Sequence, residues 1–208
     1  MSQVGLKDLH FAVLEKDENG EIKYKDVEKL IGGINATINP NVNTQELYAD
    51  DRLFESEATI GKIDVEIETA DLDIKKRAKL TGSKIKDGVL VENVSDTAPY
   101  IALGFKSKKS NGKYRYVWLL KGKASPMSED FSTKTENVEH RTPKISFTFM
   151  PRAYDGNWKY TADEDTEGFS NPGNWFDKSQ IENGLNTEGR NGEMDNGDEE
   201  DNGDGEIE

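Results

Sequence analysis

The chain has 208 residues and no cysteine, which excludes disulfides, zinc–thiolate sites and a thiol nucleophile. Its formal charge is −14, but residues 177–208 hold 12 acidic residues against 2 basic ones, Lys178 and Arg190, so −10 belongs to that stretch and −4 to the other 176 residues. A hydrophobic content of 33% and a mean hydropathy of −0.83 predict a disordered part or a domain completed by partners, and no apolar run approaches the ~20 residues that cross a bilayer.

Met1–Gly5 lacks the basic and apolar regions of a secretory signal, so the expected place of synthesis and folding is a cytoplasm. Leu9 to Leu14 is a short apolar strand that includes His10. Asp17-Glu18-Asn19-Gly20 forms a turn, and Glu21 to Tyr24 pairs back as a hairpin. Ile31 to Ile38 is a strand with a bulge or bend at Gly32-Gly33, alternating at Ile34, Ala36 and Ile38, and Pro40 ends it. Gln45 to Tyr48 is another short strand.

Glu57 to Thr69 is the strongest strand. Within it Ile63-Asp64-Val65-Glu66-Ile67-Glu68 alternates apolar and acidic residues without a break, the period of a half-buried strand. A helix over 74–81 follows, with Asp73 as N-cap and Gly82 as its stop. Val89 to Val91 is short and apolar. Tyr100 to Lys106 and Tyr114 to Lys121 form a hairpin with a Lys-, Ser-, Asn- and Gly-rich tip. Tyr114, Tyr116, Trp118 and Leu120 share one face, and Val117 and Leu119 make the other face apolar too, so this strand is buried on both sides.

Residues 125–142 are polar, and a loop of that length in a compact domain forms contacts; on its own it has too few apolar residues to order itself. Lys144 to Met150 alternates again with Ile145, Phe147 and Phe149 inward, and Trp158 and Tyr160 belong to a last strand. The expected division is a β-domain over 1–176 and a disordered acidic tail over 177–208. The fold class is all-β with one short helix, a sandwich or barrel with long arms or loops.

Few residues look like chemistry. With two histidines, His10 and His140, a histidine-based metal site has little to draw on. Glu15 to Asp26 partly matches a calcium loop, with Asp17 and Asn19 as ligands and Gly20 at the sharp turn, but the first position is not Asp, the last is too short for a bidentate Glu, and the flanks are strands. A plain hairpin turn is the better reading. In the tail, Asp198, Glu200, Asn202 and Gly203 begin a similar pattern that lacks its closing Glu. Asp50-Asp51 with Glu55 and Glu57 has no local context that raises a carboxyl pKa for hydrolysis. No phosphate-binding glycine loop or nucleophile elbow occurs, and no cofactor is expected.

Two surfaces stand out instead. Asp64, Glu66 and Glu68 form an acidic row that faces solvent, and in an assembly it suits a channel lumen that repels phosphate. Lys106, Lys108, Lys109 and Lys113, with Arg115, Tyr114 and Tyr116 nearby, make a basic hairpin; in an acidic protein it reads as a contact to an acidic neighbouring subunit rather than to nucleic acid.

The ordered residues resemble the major tail proteins of long, non-contractile phage tails. The likeness begins with Gly5-Leu6-Lys7-Asp8-Leu9-His10-Phe11-Ala12-Val13-Leu14 and an acidic turn, and continues through Tyr48-Ala49-Asp50-Asp51, Arg77-Ala78-Lys79-Leu80-Thr81-Gly82 and Asp87-Gly88-Val89-Leu90-Val91-Glu92. Ala98-Pro99-Tyr100-Ile101-Ala102-Leu103-Gly104-Phe105, Tyr114-Arg115-Tyr116-Val117-Trp118-Leu119-Leu120, Thr133 to Glu139, Lys144 to Pro151 and Asp155-Gly156 complete it over residues 5–162.

This resemblance implies a tail tube subunit: six copies in a ring, stacked rings forming a tube, and DNA passing through it without specific binding. Arms, the long loop and the hairpin would bridge rings, with tape measure and terminator proteins as further partners. The location implied is the virion tail, with assembly in the host cytoplasm, no membrane, no cofactor and no catalytic residue. Alternatives are a terminator, adaptor or other virion β-protein, or a carbohydrate-binding β-sandwich using Trp158, Tyr160 and Trp175.

Overall fold

The computed structural model describes residues 3–18, 20–49, 52–129, 142–170 and 172–182; residues 3–4, 45–49 and 52–58 are described as backbone. The strands are β1 (Gln3–Glu18), β2 (Glu21–Tyr24), β3 (Glu28–Lys29), β4 (Gly33–Ala49) and β5 (Arg52–Thr69). After α1 (Ile74–Thr81) come β6 (Lys84–Lys86), β7 (Val89–Val91), β8 (Ile101–Lys109), β9 (Tyr114–Ala124), β10 (Lys144–Phe149), β11 (Lys159–Asp163) and α2 (Lys178–Glu182).

Antiparallel pairing builds the order β2-β1-β8-β9-β10-β5-β4, with β3 also on β1 and β11 also on β9. β6 and β7 form a separate two-stranded sheet. The main sheet curls until β4 meets β1: a Cβ built on Gly33 would stand 2.9 Å from Leu6. The expected all-β architecture is therefore a single curled, barrel-like sheet.

Alternation explains the burial. Ile63, Val65 and Ile67 of β5 join Ile145, Phe147 and Phe149 of β10, Leu103 and Phe105 of β8, and Val117 and Leu119 of β9 in the main core, which Leu80 of α1 closes. Each fully buried side chain of this size contributes about 1.5–3 kcal/mol. On the other face of β9, Tyr116, Trp118 and Leu120 pack with Ala12, Tyr24, Ala102, Tyr160, Trp175 and Ile181. So β9 is buried on both sides, as its unbroken apolar run implies.

The two cores are pinned where aromatic rings cross glycines. Trp118 lies opposite Gly104 and Phe149 opposite Gly122, and a Cβ at either glycine would approach the ring to 2.7 and 2.6 Å respectively. The sheet needs these glycines to seat the rings.

Helix α1 forms where expected. Gly82 ends it in the left-handed conformation, φ 78°, and its N–H returns to the Ala78 carbonyl. Asp73 occupies the N-cap position but makes no side-chain capping bond; only its carbonyl is used, by the Arg77 N–H.

Several sequence expectations change. Pro40 does not end a strand: β4 passes through it to Ala49, joining the two short strands expected there. β4 is the sheet edge, so the missing proline N–H costs no ladder bond, and a bulge between Pro40 and Val42 absorbs the irregularity. Ile34 is exposed while Ala36 and Ile38 pack on the core, because the register shifts between Gly33 and Asn35. β1 is longer than the apolar run at 9–14. Trp158 precedes β11 rather than lying within it.

The first part of the expected contact loop is tied down. Ser125 N–H bonds the Ser146 carbonyl, Met127 packs against the main core, and Glu129 pairs with Arg77. The rest of that loop, residues 130–141, lies outside the described residues.

Composition placed the end of the folded domain at 176, yet the chain beyond Asp177 continues as α2, and Ile181 is fully buried in the second core. The acidic stretch from 183 lies outside the described residues.

Candidate functional site

The β4–β5 hairpin is the first surface of note. Its ladder runs from Gly33 opposite Thr69 to Ala49 opposite Arg52. The core ends at Ile38 and Ile63; beyond them the described side chains at 41–44 and 59–60 are all exposed. The nine residues from Asn41 to Ala49, at ~3.3 Å each, make an arm of roughly 30 Å. A two-stranded ribbon without its own core is marginal in water. Val42 and Ile60 face each other across this arm, 55% and 46% exposed.

The acidic row lies on the polar face of β5, opposite Ile63, Val65 and Ile67. Glu66 is exposed; Asp64 and Glu68 are half-buried. The same face carries Asn35, Thr37 and Asn39 of β4 and Lys144, Ser146 and Thr148 of β10 as cross-strand partners. The row is tempered: Asn41 Nδ2 donates to Asp64 at 2.8 Å, Lys62 stands 3.4 Å from Asp64, Lys144 stands 3.4 Å from Glu66, and Thr142 donates to Glu68. The Asn41 bond, ahead of Lys62, holds the Asp64 carboxyl below its usual range. Two lysines against three carboxylates leave a hydrophilic, mildly negative face.

The basic hairpin does not present four equivalent lysines. Lys109 is 7% exposed, and its Nζ lies 3.1 Å from Asp163 and also binds Asp165. Arg115 grips the same Asp163 through Nε at 2.6 Å and Nη2 at 2.7 Å. This two-pronged bond from Arg115, with Lys109, draws the Asp163 carboxyl down to about 2. The acidic neighbour of Lys109 is thus the 163–165 turn of its own chain. Lys106 is half-buried, 2.7 Å from Asp8, and over the Tyr114 ring at 4.9 Å. Lys108 and Lys113 are exposed.

Asp8 sits at a bulge in β1 with φ 51°, an unusual conformation for a residue other than glycine. Hydrogen bonds from Lys106 and Lys29 pull its carboxyl down to about 2. These three residues line a recess of about 460 Å³ with His10, Tyr116 and Phe176. His10 stacks on Phe176 at 4.3 Å, and its Nδ1 lies 2.7 Å from the Asp8 carbonyl. Burial is the main reason its pKa is lowered. The recess is a closed set of charge pairs and holds no nucleophile–base arrangement. Among the described residues no group of His, Asp and Glu could hold a metal ion; His140 lies outside them.

The calcium-loop reading of 15–26 gives way to the hairpin. Asp17 accepts from Lys121 Nζ at 2.6 Å and from the N–H groups of Ala153 and Tyr154 at 3.0 and 2.9 Å. Burial opposes its ionisation, but these donors hold its pKa down. Asp17 therefore fastens the 151–157 loop to the β1–β2 hairpin; Asn19 lies outside the described residues. The aromatic residues of the carbohydrate reading are also committed: Trp175 and Tyr160 are buried, and Trp158 packs against the main core. The side chains of Asp50, Asp51, Glu55 and Glu57 lie outside the described ones.

Sequence reasoning missed Arg152. It is 2% exposed and donates to the Ile181 carbonyl at 2.6 Å, to Tyr160 Oη at 2.6 Å, to Tyr24 Oη at 3.3 Å and to Asp155. Glu182 accepts from the Tyr24 N–H at 2.7 Å. This hub joins β2, β11 and the C-terminal strap. The one signal in the sequence is the lone Ile181 inside an otherwise polar stretch.

The described residues form a curled antiparallel sheet with a projecting two-stranded arm and a charge-paired recess. The phage tail tube protein family matches residues 1–181, and the chain belongs to that family. It is a structural subunit of a phage tail tube, and its place is the virion tail. A comparison with curated proteins gives no match. The match ends at Ile181, the last of the described residues to enter the second core.

Proposed function

We propose that six copies close into a ring and that stacked rings form the tube of a long, non-contractile tail, the conduit through which DNA leaves the capsid. The observation that carries this reading is the arm: roughly 30 Å of paired backbone whose described side chains, the Val42–Ile60 pair among them, are all exposed. Such a ribbon gains order by packing on another chain. Family membership supplies the setting. The subunit works without a cofactor and without catalysis. Assembly takes place in the host cytoplasm around a tape measure protein and stops at a terminator, and no membrane takes part.

In this arrangement Asp64, Glu66 and Glu68 line the lumen. Their face is hydrophilic and mildly negative because Lys62 and Lys144 share it, so DNA neither binds nor meets a steep barrier. Of the basic hairpin, we assign Lys108 and Lys113, which are exposed, to an acidic surface on an adjacent subunit. Electron microscopy of the purified protein tests the proposal. The expected result is tubes with six-fold end views and the β5 carboxylates inside. Separate monomers under every assembly condition would refute the tube, and carboxylates on the exterior would refute the lumen assignment alone.

A further inference from the structure

The C-terminal strap, residues 172–182, is fastened to the second core at two ends of different chemistry. At its far end Arg152 donates to the Ile181 carbonyl at 2.6 Å, and Glu182 accepts from the Tyr24 N–H at 2.7 Å. At its near end the Phe176 ring stacks on His10 of β1, with centroids 4.3 Å and planes 21° apart. Next to this stack the Trp175 carbonyl accepts from Trp118 Nε1 at 2.8 Å. The far end is held by an arginine, whose charge is fixed. The near end rests on an imidazole, the side chain whose charge changes close to neutral pH.

The recess beside this stack is charge-balanced only while His10 is neutral. Its Nδ1 lies 2.7 Å from the Asp8 carbonyl, so Nδ1 carries the hydrogen and Nε2 is where a second proton would add. The charged and titratable groups around it are Asp8 of β1, Lys29 of β3, Lys106 of β8, Tyr116 of β9 and Glu164, which follows β11. Asp8 is engaged by Lys29 at 2.5 Å and Lys106 at 2.7 Å. Glu164 is engaged by the Tyr116 hydroxyl at 2.7 Å and the Tyr114 N–H at 3.0 Å. Two ammoniums and two carboxylates cancel, so a proton on His10 is an unbalanced positive charge. The Phe176 ring face favours a cation. Burial opposes the charge more strongly, the two lysines add to it, and the bond to the Asp8 carbonyl offsets them only in part, so the His10 pKa is lowered.

We propose that protonation of His10 releases the Phe176 end of the strap while the Arg152 end stays clamped, so that the strap is a proton-operated latch over the aromatic face of β9. A detached imidazole titrates near 6.5. The contact is therefore undiminished above that pH and weakens as pH falls below it. The open state uncovers the recess and the Tyr116 and Phe176 rings. The inference concerns the single subunit and is independent of the tube reading.

Hydrogen exchange followed by NMR on the full-length protein tests it, because each end of the strap has its own reporter. The Trp118 indole N–H reports the Phe176 end and the Tyr24 N–H reports the Arg152 end. Rates at about pH 7.5 and about pH 5 are each divided by those of His10→Phe protein at the same pH, which keeps a ring against Phe176 and takes up no proton. His10→Gln replaces it as the reference if circular dichroism shows His10→Phe to be unfolded. The expected result is a Trp118 ratio several-fold higher at the lower pH and an unchanged Tyr24 ratio. The His10 ring signals, assigned with His140→Gln protein, should titrate with a midpoint below 6.5. A Trp118 ratio that does not change with pH, a His10 midpoint at or above 6.5, or a Tyr24 ratio that rises in step with that of Trp118 would each overturn the latch.

Discussion

Two truncations five residues apart should differ sharply in stability. Ending the chain after Glu182 removes only the acidic stretch; ending it after Asp177 also removes α2. That helix places Ile181 in the second core at 0% exposure, worth about 2–3 kcal/mol of burial. It gives the buried Arg152 guanidinium an acceptor at 2.6 Å and the Tyr24 N–H an acceptor at 2.7 Å. Each group left without a partner costs about 1–3 kcal/mol. Against these stands the entropy of ordering five residues, at least ~1 kcal/mol each.

The difference is a net loss of about 1–3 kcal/mol, or roughly 3–10 °C in melting temperature for a domain of this size. Ile181→Ala should cost no more than the truncation after Asp177, because α2 would detach rather than hold a larger cavity. Thermal melts followed by far-UV circular dichroism and tryptophan emission measure it, since Trp175 is buried in the same strap. The chain ending after Glu182 should melt within about 1 °C of the full chain. Equal melting of the two truncations would refute the reasoning and return 178–182 to the tail.

Gly104→Ala and Gly122→Ala should each destabilise by about 1–3 kcal/mol in urea titration, because the new methyl strikes the Trp118 or Phe149 ring. Arg152→Ala should cost more than about 3 kcal/mol in the same assay, since it strips partners from Tyr24, Tyr160, Asp155 and Ile181 together. The carboxyls of Asp8 and Asp163, depressed from 3.8 to about 2 by their cationic partners, contribute stability that is fully present above pH 3.8 and is lost as pH falls toward 2. An acid titration of Asp163→Asn should therefore lose the part of that slope belonging to Arg115 and Lys109, and an unchanged slope between pH 4 and 2 would count against the pairing. Lys108→Glu with Lys113→Glu should leave the melting temperature within about 1 °C, whereas Lys109→Glu should lower it, because of these three Lys109 alone is paired among the described residues.

What was legible in the sequence followed local period. The alternation at 63–68 and 144–149 and the doubly apolar run at 114–120 are properties of neighbouring residues, and each became the expected strand with the expected face inward. Helix α1 was readable from its stop at Gly82. Features decided by distant partners were not legible. Pro40 breaks a strand only if its N–H faces another strand, and the position of β4 at the sheet edge lies outside local sequence. Lys109 and Lys108 look alike in a basic run, but the 163–165 turn, some 50 residues away, claims only the first. Ile181 reads as a stray apolar residue until Tyr24 and Arg152 supply its walls.

The same division separates stability from function. Residues whose partners lie within the chain, such as Arg152, Asp17 and Lys109, are consumed by the fold; their substitution should register in melting temperature. Val42, Ile60, Val89 and Val91 are exposed, so replacing them costs the isolated subunit little. Apolar side chains on ribbons that have no core contribute only when another surface covers them. In an assembly each contact recurs at every subunit, so even about 1 kcal/mol per contact decides between monomer and tube. Under the proposed tube, exposed elements of this kind carry assembly rather than stability, and screening for loss of fold would overlook them.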